Sequence, residues 1–352
     1  MPATHPLFRI ELLSLTLCAT LGCRTAPASP EDTPDIDLEG FFQKFSVVGG
    51  LVLAESTSVV TVNPMMFQDP QGGFLVVENG EEQLRVYGQD GELLDLFGPG
   101  TGKGESIRAP TGVTRLPGGT LVATTLRSDA VSVIPASGHV NDSMVSTGIR
   151  PLEGVQAISD RSVVLTGADA PYPKTLLHLF DLSTGSLITN FFPRPRHVDS
   201  NVVLQLGRLH LDVRGPRLAA VHSLSDTVFL FDLNGRYVSQ YHVPIESFRI
   251  PRGGLPNIDS RQERQRWLDQ WTLLWGVFFL DDKSILVQSV KGRRTRPTYG
   301  LVLTDTSGKV LLALSHTPKL VGAREGKLFF QDPHFSEPNR LLVATLRNGT
   351  SN

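Results

Sequence analysis

The sequence predicts an all-β fold, a six-bladed β-propeller. Three observations carry that prediction. A strand–turn–strand unit centred on Gly recurs about every 48 residues, and further strand-like runs precede it. The last unit is one strand short, and the first part of the body carries a strand with no unit of its own. Composition agrees: 33 Gly and 24 Pro in 352 residues fit many short strands joined by turns, not long helices.

The recurring unit appears as LRVYGQDGELLDLF around Gly91, VSVIPASGHV around Gly138 and LHLFDLSTGSLITNFF around Gly185. It returns as FLFDLNGRYVSQY around Gly235 and LVLTDTSGKVLLAL around Gly308, giving intervals of 47, 47, 50 and 73 residues. Each reads as a hairpin, because alternating strands joined by a tight turn need a residue that accepts φ > 0. Met65–Gln68 and Phe74–Glu78 precede the first hairpin, and Pro110–Arg115 and Thr120–Thr125 precede the second. Val277–Leu280 and Ser284–Val290 precede the last. Four strands per unit is the make-up of a propeller blade.

At the C-terminus, Lys319–Ala323, Lys327–Gln331 and Arg340–Leu346 are three strands without a fourth. Phe45–Thr61 is strand-rich and precedes the first complete unit. Pairing that N-terminal strand with the C-terminal blade closes the ring and removes an exposed edge. Five complete blades and one shared blade make six.

The string VYGQDGELLDLFGPGTGKGESIRAPTGVTRLPGGTLVATT (86–125) resembles the NHL-type repeat of six-bladed propellers found in exported bacterial proteins. The shared features are D-G-E-L-L, F-G-x-x-G, the pair Gly104-Glu105 and P-x-G-V. The resemblance implies an architecture. It leaves activity open, because the group it points to includes sensors, scaffolds, lyases and lactonases.

The interval of 73 exceeds the others by about 25 residues, and there the apolar period changes from 2 to 3.6. Ser260 and Glu263 have the spacing of a capping box. Trp267, Leu268, Trp271, Leu274 and Trp275 follow on one helical face, and Gly276 is placed to stop the helix. The expectation is one inserted amphipathic helix at about 258–276, holding all three tryptophans of the protein. Two readings of the stripe stand: it docks the helix on the propeller, or part of it meets a partner, since Trp and Arg dominate interface hot spots. On the second reading the binding surface is Trp267, Trp271 and Arg264, with Arg293, Arg294 and Arg296 from the basic run KGRRTR.

The N-terminus reads as an export signal. Leu12–Leu21 is apolar but far short of the ~20 residues of a membrane span. It ends at Thr20-Leu21-Gly22-Cys23, which resembles a bacterial lipobox, and that resemblance implies a diacylated Cys23 as the mature N-terminus. Residues 24–40, rich in Pro, Ala, Ser and Asp at their start, are expected to be a flexible linker, with the propeller spanning 41–352. The expected location is therefore exported and lipid-anchored, facing the periplasm or the cell exterior.

Net charge of −2 argues against nucleic acid as a partner. Both cysteines, Cys18 and Cys23, precede the body, so no thiol or Cys-based metal chemistry is expected there. The nine His show no ligand spacing; His210 and His222 come nearest. Glu78, Asp169, Asp226, Asp281 and Asp282 are acidic residues at strand ends, where they could line a channel mouth and hold a cation, or simply form turns. GPGTGKGES (98–106) lacks G-K-[ST] and is expected to be an interblade loop. No G-x-S-x-G elbow is present. The expected function is a monomeric, cofactor-free module that binds a protein or glycan in the cell envelope without catalysis. The alternative is a lactonase- or lyase-like enzyme, metal-dependent or not, with its site at the channel mouth.

Overall fold

The computed structural model describes residues 36–54, 65–78, 82–105, 107–125, 128–136, 143–149, 152–168, 174–195, 207–249, 260–292, 297–332 and 339–347. Cys23, the greater part of the 24–40 linker, Asp169 and Arg293, Arg294 and Arg296 lie outside the described residues, as does the Glu78 side chain.

A short helix, α1 (Leu38–Lys44), leads into strand β1 (Phe45–Val52). Six four-stranded antiparallel sheets then form the ring. Blade I holds β2 (Met65–Gln68), β3 (Phe74–Glu78), β4 (Gln83–Tyr87) and β5 (Leu93–Phe97). Blade II holds β6 (Pro110–Arg115), β7 (Leu121–Thr125), β8 (Ala130–Ile134) and β9 (Ser143–Ser146). Blade III holds β10 (Leu152–Ala157), β11 (Ser162–Gly167), β12 (Thr175–Asp181) and β13 (Ser186–Pro193). Blade IV holds β14 (Leu209–Arg214), β15 (Arg217–His222), β16 (Thr227–Asp232) and β17 (Tyr237–His242). A helix, α2 (Arg261–Asp269), precedes blade V, which holds β18 (Leu273–Phe279), β19 (Ser284–Lys291), β20 (Thr298–Asp305) and β21 (Val310–Thr317). In blade VI, β22 (Leu320–Arg324), β23 (Lys327–Gln331) and β24 (Arg340–Leu346) are completed by β1, which pairs with β24 from Phe45↔Leu346 to Val52↔Arg340.

The ring therefore closes through the N-terminal strand, and the hairpins at Gly91, Gly185, Gly235 and Gly308 each join the third and fourth strands of a blade. In blades II to V the second strand is buried along most of its length. β7 (LVATT) and β15 (RLAAVH) read as nearly continuous apolar runs because neighbouring blades cover both their faces. Six hydrophobic clusters follow, one at each seam. Leu84, Phe97, Val113 and Ile134 join blades I and II, for example, and Leu230, Val243, Val277 and Ile285 join blades IV and V.

Two features differ from the sequence expectation. The inserted helix ends at Asp269, with Gln270 as its C-cap, so Trp271 follows the helix and Leu274, Trp275 and Gly276 belong to β18. Pairing with β19 overrides the helical spacing there: Leu274 lies opposite Ser289 and Gly276 opposite Gln288, with a bulge between that absorbs Trp275. A second helix, α1, forms where the linker was expected to run into the body. Asp37 caps it by accepting from the Gly40 N–H at 2.8 Å, and Phe41 anchors it against Phe45 and Phe330.

Candidate functional site

Three places in the ring carry polar or aromatic groups together: the inner strands, the side reached by α2, and the seam where the ring closes.

The first strand of each blade stands nearest the axis, and its inner edge has no strand partner. Unpaired backbone N–H groups need side-chain acceptors, and inner-strand side chains of neighbouring blades supply them. Thr114 of β6 accepts from the Ala157 N–H of β10 at 3.2 Å. Asp212 of β14 accepts from the Phe279 N–H of β18 at 2.7 Å and from the Val213 N–H at 2.9 Å. Solvent reaches the Asp212 carboxyl only in part, and protein surrounds it otherwise. Desolvation pushes its pKa up to about 6, against the opposing pull of those two hydrogen bonds and of Arg214.

Arginines end three of the inner strands and tie blades together on the side of the first-to-second strand turns. Arg115 of β6 pairs through Nε with Asp69 of blade I at 2.8 Å, and Arg324 of β22 donates to the Asp69 carbonyl at 3.1 Å. Arg214 of β14 pairs with Asp282 of blade V at 3.0 Å. Gly118 of blade II donates its N–H to Asp160 of blade III at 2.6 Å.

These contacts place three of the five acidic residues that the sequence offered for a channel mouth. Asp281 and Asp282 lie in the first-to-second strand turn of blade V, whereas Asp226 lies in a second-to-third strand turn, on the opposite side of the ring, beside His242 at 3.0 Å. Asp281 accepts the Lys283 N–H, as turn residues do. Among the described residues no group of three or more His, Cys, Asp and Glu could hold a metal ion. The glycine-rich loop after β5 satisfies itself: the Glu105 carboxylate accepts the N–H groups of Gly100 and Gly102, and Lys103 pairs with Asp95 at 2.8 Å. It is an interblade loop.

The tryptophans pack inward. Leu268 of α2 is 7% exposed, and Trp267, Trp271 and Trp275 are part-buried against a cluster that includes Phe191, Phe192, Leu218 and Leu273. The Trp267 and Trp271 rings lie 5.8 Å apart, and Trp275 meets the His210 ring at 5.8 Å. Arg264 is half-buried on α2. His210 and His222 stand on the adjacent strands β14 and β15, facing Val221 and Leu209 respectively.

The third place escaped the sequence reading. Between blades VI and I lies a groove of about 310 Å³ that crosses all four strands of blade VI, from Arg324 and Lys327 through Phe329 and Val343 to Gly49 and Leu51. Blade I faces it with Gln68, Gly72, Gly73, Phe74, Gln89 and Asp90. The seam on the other side of each blade shows why it is open. At the III–IV and IV–V seams, Phe191 and Tyr241 of the outer strand reach under the hairpin glycine of the next blade. Beneath Gly91 that place is taken by the Val52 carbonyl and the Leu51 side chain, and two residues before Leu51, where Thr189 and Ser239 precede Phe191 and Tyr241, stands Gly49, where a Cβ would meet nothing within 4 Å. The signal in the sequence was Gly49-Gly50 inside a strand, which marks a bulge or a close approach; β1 does carry a bulge between Val47 and Gly49.

No known protein family and no curated protein matches the sequence. Solved structures match the fold. A member of the DUF4221 family from Bacteroides vulgatus aligns with a TM-score of 0.60 at 10% identity, over 86% of this chain and 97% of that one. A protein from Bacteroides fragilis, named as exported, aligns at 0.59 and 12%, over 86% and 95%. The virginiamycin B lyase of Staphylococcus aureus, solved with quinupristin, aligns at 0.52 and 11%, over 83% of each chain. At such identities the likeness is one of fold alone. No helix among the described residues is long and apolar enough to cross a membrane.

Proposed function

We propose that the protein is an extracytoplasmic, NHL-like β-propeller, tethered to a bacterial membrane through Cys23, that binds a protein or glycan of the cell envelope without transforming it. The observation that carries this reading is how the polar groups are distributed. On the inner strands, Thr114, Arg115, Asp212 and Arg214 hold blades together. The groove between blades VI and I instead presents polar side chains beside an open concave surface. The apolar run Leu12–Leu21 before Cys23 supports export, as does the fold shared with a protein named as exported.

Two measurements test the proposal. Replacing Cys23 by Ser should release the protein from the membrane fraction and abolish incorporation of labelled palmitate; retention of the variant in membranes overturns the tether. A partner isolated from the native envelope on the immobilised protein should be recovered with unchanged mass after prolonged incubation; a changed mass overturns the non-enzymatic reading.

One observation favours the second reading, an enzyme acting at the channel. Asp212 is a carboxyl on the inner wall whose pKa of about 6 suits a general base near neutral pH. On that reading Asp212→Asn abolishes turnover of the recovered partner while the variant stays folded.

A further inference from the structure

We infer that the groove between blades VI and I is a binding site for a short segment of a neutral oligosaccharide. The inference rests on the binding-module reading above and deepens it by naming a place and a ligand class.

The groove is open because of one residue of β1. Its opening comes from glycine in a strand, where a side chain would cost nothing sterically: Gly49 faces empty space, and its φ is not in the left-handed region. A glycine in a strand interior forfeits packing and backbone entropy; Gly49 follows the bulge in β1 but relieves no clash, and it leaves open the space over the face of blade VI. The same seam position carries Thr189 and Ser239 at the two seams described above.

The charges along the groove balance. Two cations, Arg324 and Lys327, are matched by two carboxylates, Asp90 and Glu325, and Gln68 and Gln89 add amide donors and acceptors. A wall with no net charge gives no electrostatic preference for an anion or a cation. It offers donors and acceptors side by side, which is what vicinal hydroxyls require. Phe329 and Val343 supply apolar surface for the C–H faces of a sugar ring; Phe329 is half-buried and packs edge-on against Phe74 at 5.1 Å.

The wall suits a glycan better than an extended peptide. A peptide captured by strand addition needs an unpaired sheet edge. β1 leaves one outer edge of blade VI unpaired, but the lining residues cross the face of the blade over all four strands, β22, β23, β24 and β1, rather than keeping to that edge. The face presents the Arg324, Lys327, Phe329 and Val343 side chains beside the glycine backbone of β1. Crossing four strands at their usual spacing gives a groove roughly 14 Å long, and about 310 Å³ is at the small end for a ligand site. A short oligosaccharide segment fits that outline.

The test is isothermal titration of the folded propeller with cello-, xylo-, malto- and chito-oligosaccharides of three to five units, beside uronic-acid and sulfated oligosaccharides of the same length. At least one neutral series should bind. Gly49→Phe, which fills the groove without removing a contact, should weaken binding at least tenfold with an unchanged Tm. Gln89→Ala, an exposed turn residue on the opposite wall, should weaken it several-fold and guards against a Gly49→Phe protein that misfolds. Absence of binding by every neutral series, binding confined to the anionic ones, or equal binding by both variants overturns the inference. If Gly49→Phe still captures the same envelope partner as the wild type, the groove assignment fails while the binding-module reading stands.

Discussion

Tyr241, on the outer strand of blade IV, lies directly beneath Gly308 in the hairpin turn of blade V. A Cβ on Gly308 would stand 2.6 Å from Tyr241 Cγ, and the Tyr241 hydroxyl meets Thr304 Oγ1 of blade V at 2.8 Å. The arrangement recurs where Gly235 sits over Phe191, and Gly91 sits over the Val52 carbonyl and the Leu51 side chain. The glycine that turns each of these three hairpins is thus also the surface on which the neighbouring blade rests. Gly308→Ala meets both constraints, since φ is +93° and the part-buried Tyr241 ring is held at its hydroxyl by Thr304. The expected loss is about 2 kcal/mol, the usual cost of one such backbone strain, read from denaturant unfolding. An unchanged midpoint would show that the seam yields.

Asp212 makes stability depend on pH in a defined window. Its folded pKa, about 6, lies above its ordinary value of 3.8 because burial disfavours the charged form. Its contribution is therefore fully present below pH 3.8 and lost as pH rises through about 6. Comparing wild type with Asp212→Asn by thermal unfolding, the wild type should lose ground relative to the variant between about pH 4 and pH 6. The change should reach at most about 3 kcal/mol, as a shift of this size implies. A pH-independent difference would refute the assignment.

Asp69 joins three blades. Only 2% exposed, it pairs with Arg115 of blade II, receives Arg324 of blade VI at its carbonyl, and accepts the Gln71 N–H within blade I. Asp69→Ala leaves the mostly buried Arg115 guanidinium without its carboxylate. The cost should be about 3 kcal/mol, at the low end for breaking a buried pair because Arg115 keeps some solvent contact. Asp69→Asn, which keeps the acceptor for Gln71, should cost less; equal losses would assign the whole cost to the ion pair and none to the turn.

The tryptophan stripe is expected to act through packing. Trp271→Ala removes a part-buried ring from the cluster that links α2 to Phe191, Phe192 and Leu218. A fully buried Trp would cost 3–5 kcal/mol, so a loss of about 2 kcal/mol is expected here. Loss of partner capture at an unchanged Tm would instead assign Trp271 to a binding surface.

The blades were legible because their determinants are local. Four of the hairpin glycines, at 91, 185, 235 and 308, have positive φ, and runs such as Phe74–Glu78 and Lys327–Gln331 became strands with the bounds that their flanking turns imply. The closing of the ring followed from counting strands, since an unpaired β24 would have left an edge. The helix at 258–276 was half legible. The Ser260 cap is real, with its Oγ accepting the Glu263 N–H at 3.3 Å, but its far end was not local. Leu274 and Trp275 fit a helical face as well as a strand, and only β19, already placed in blade V, decided between them.

The candidate site shows the same division. The sequence by itself determined the repeat, the turns and the strand count, because backbone conformation at glycine and alternation of apolar residues are properties of neighbours along the chain. Which side chains meet across a seam depends on residues far apart: 67 positions separate Asp212 from Phe279, and 255 separate Asp69 from Arg324. The groove is the extreme case. It lies between the first and last strands of the ring, and its opening at Gly49 has meaning only once β1 has crossed the whole chain to pair with β24. Tertiary structure alone decided it, because an unfilled space is defined by everything around it.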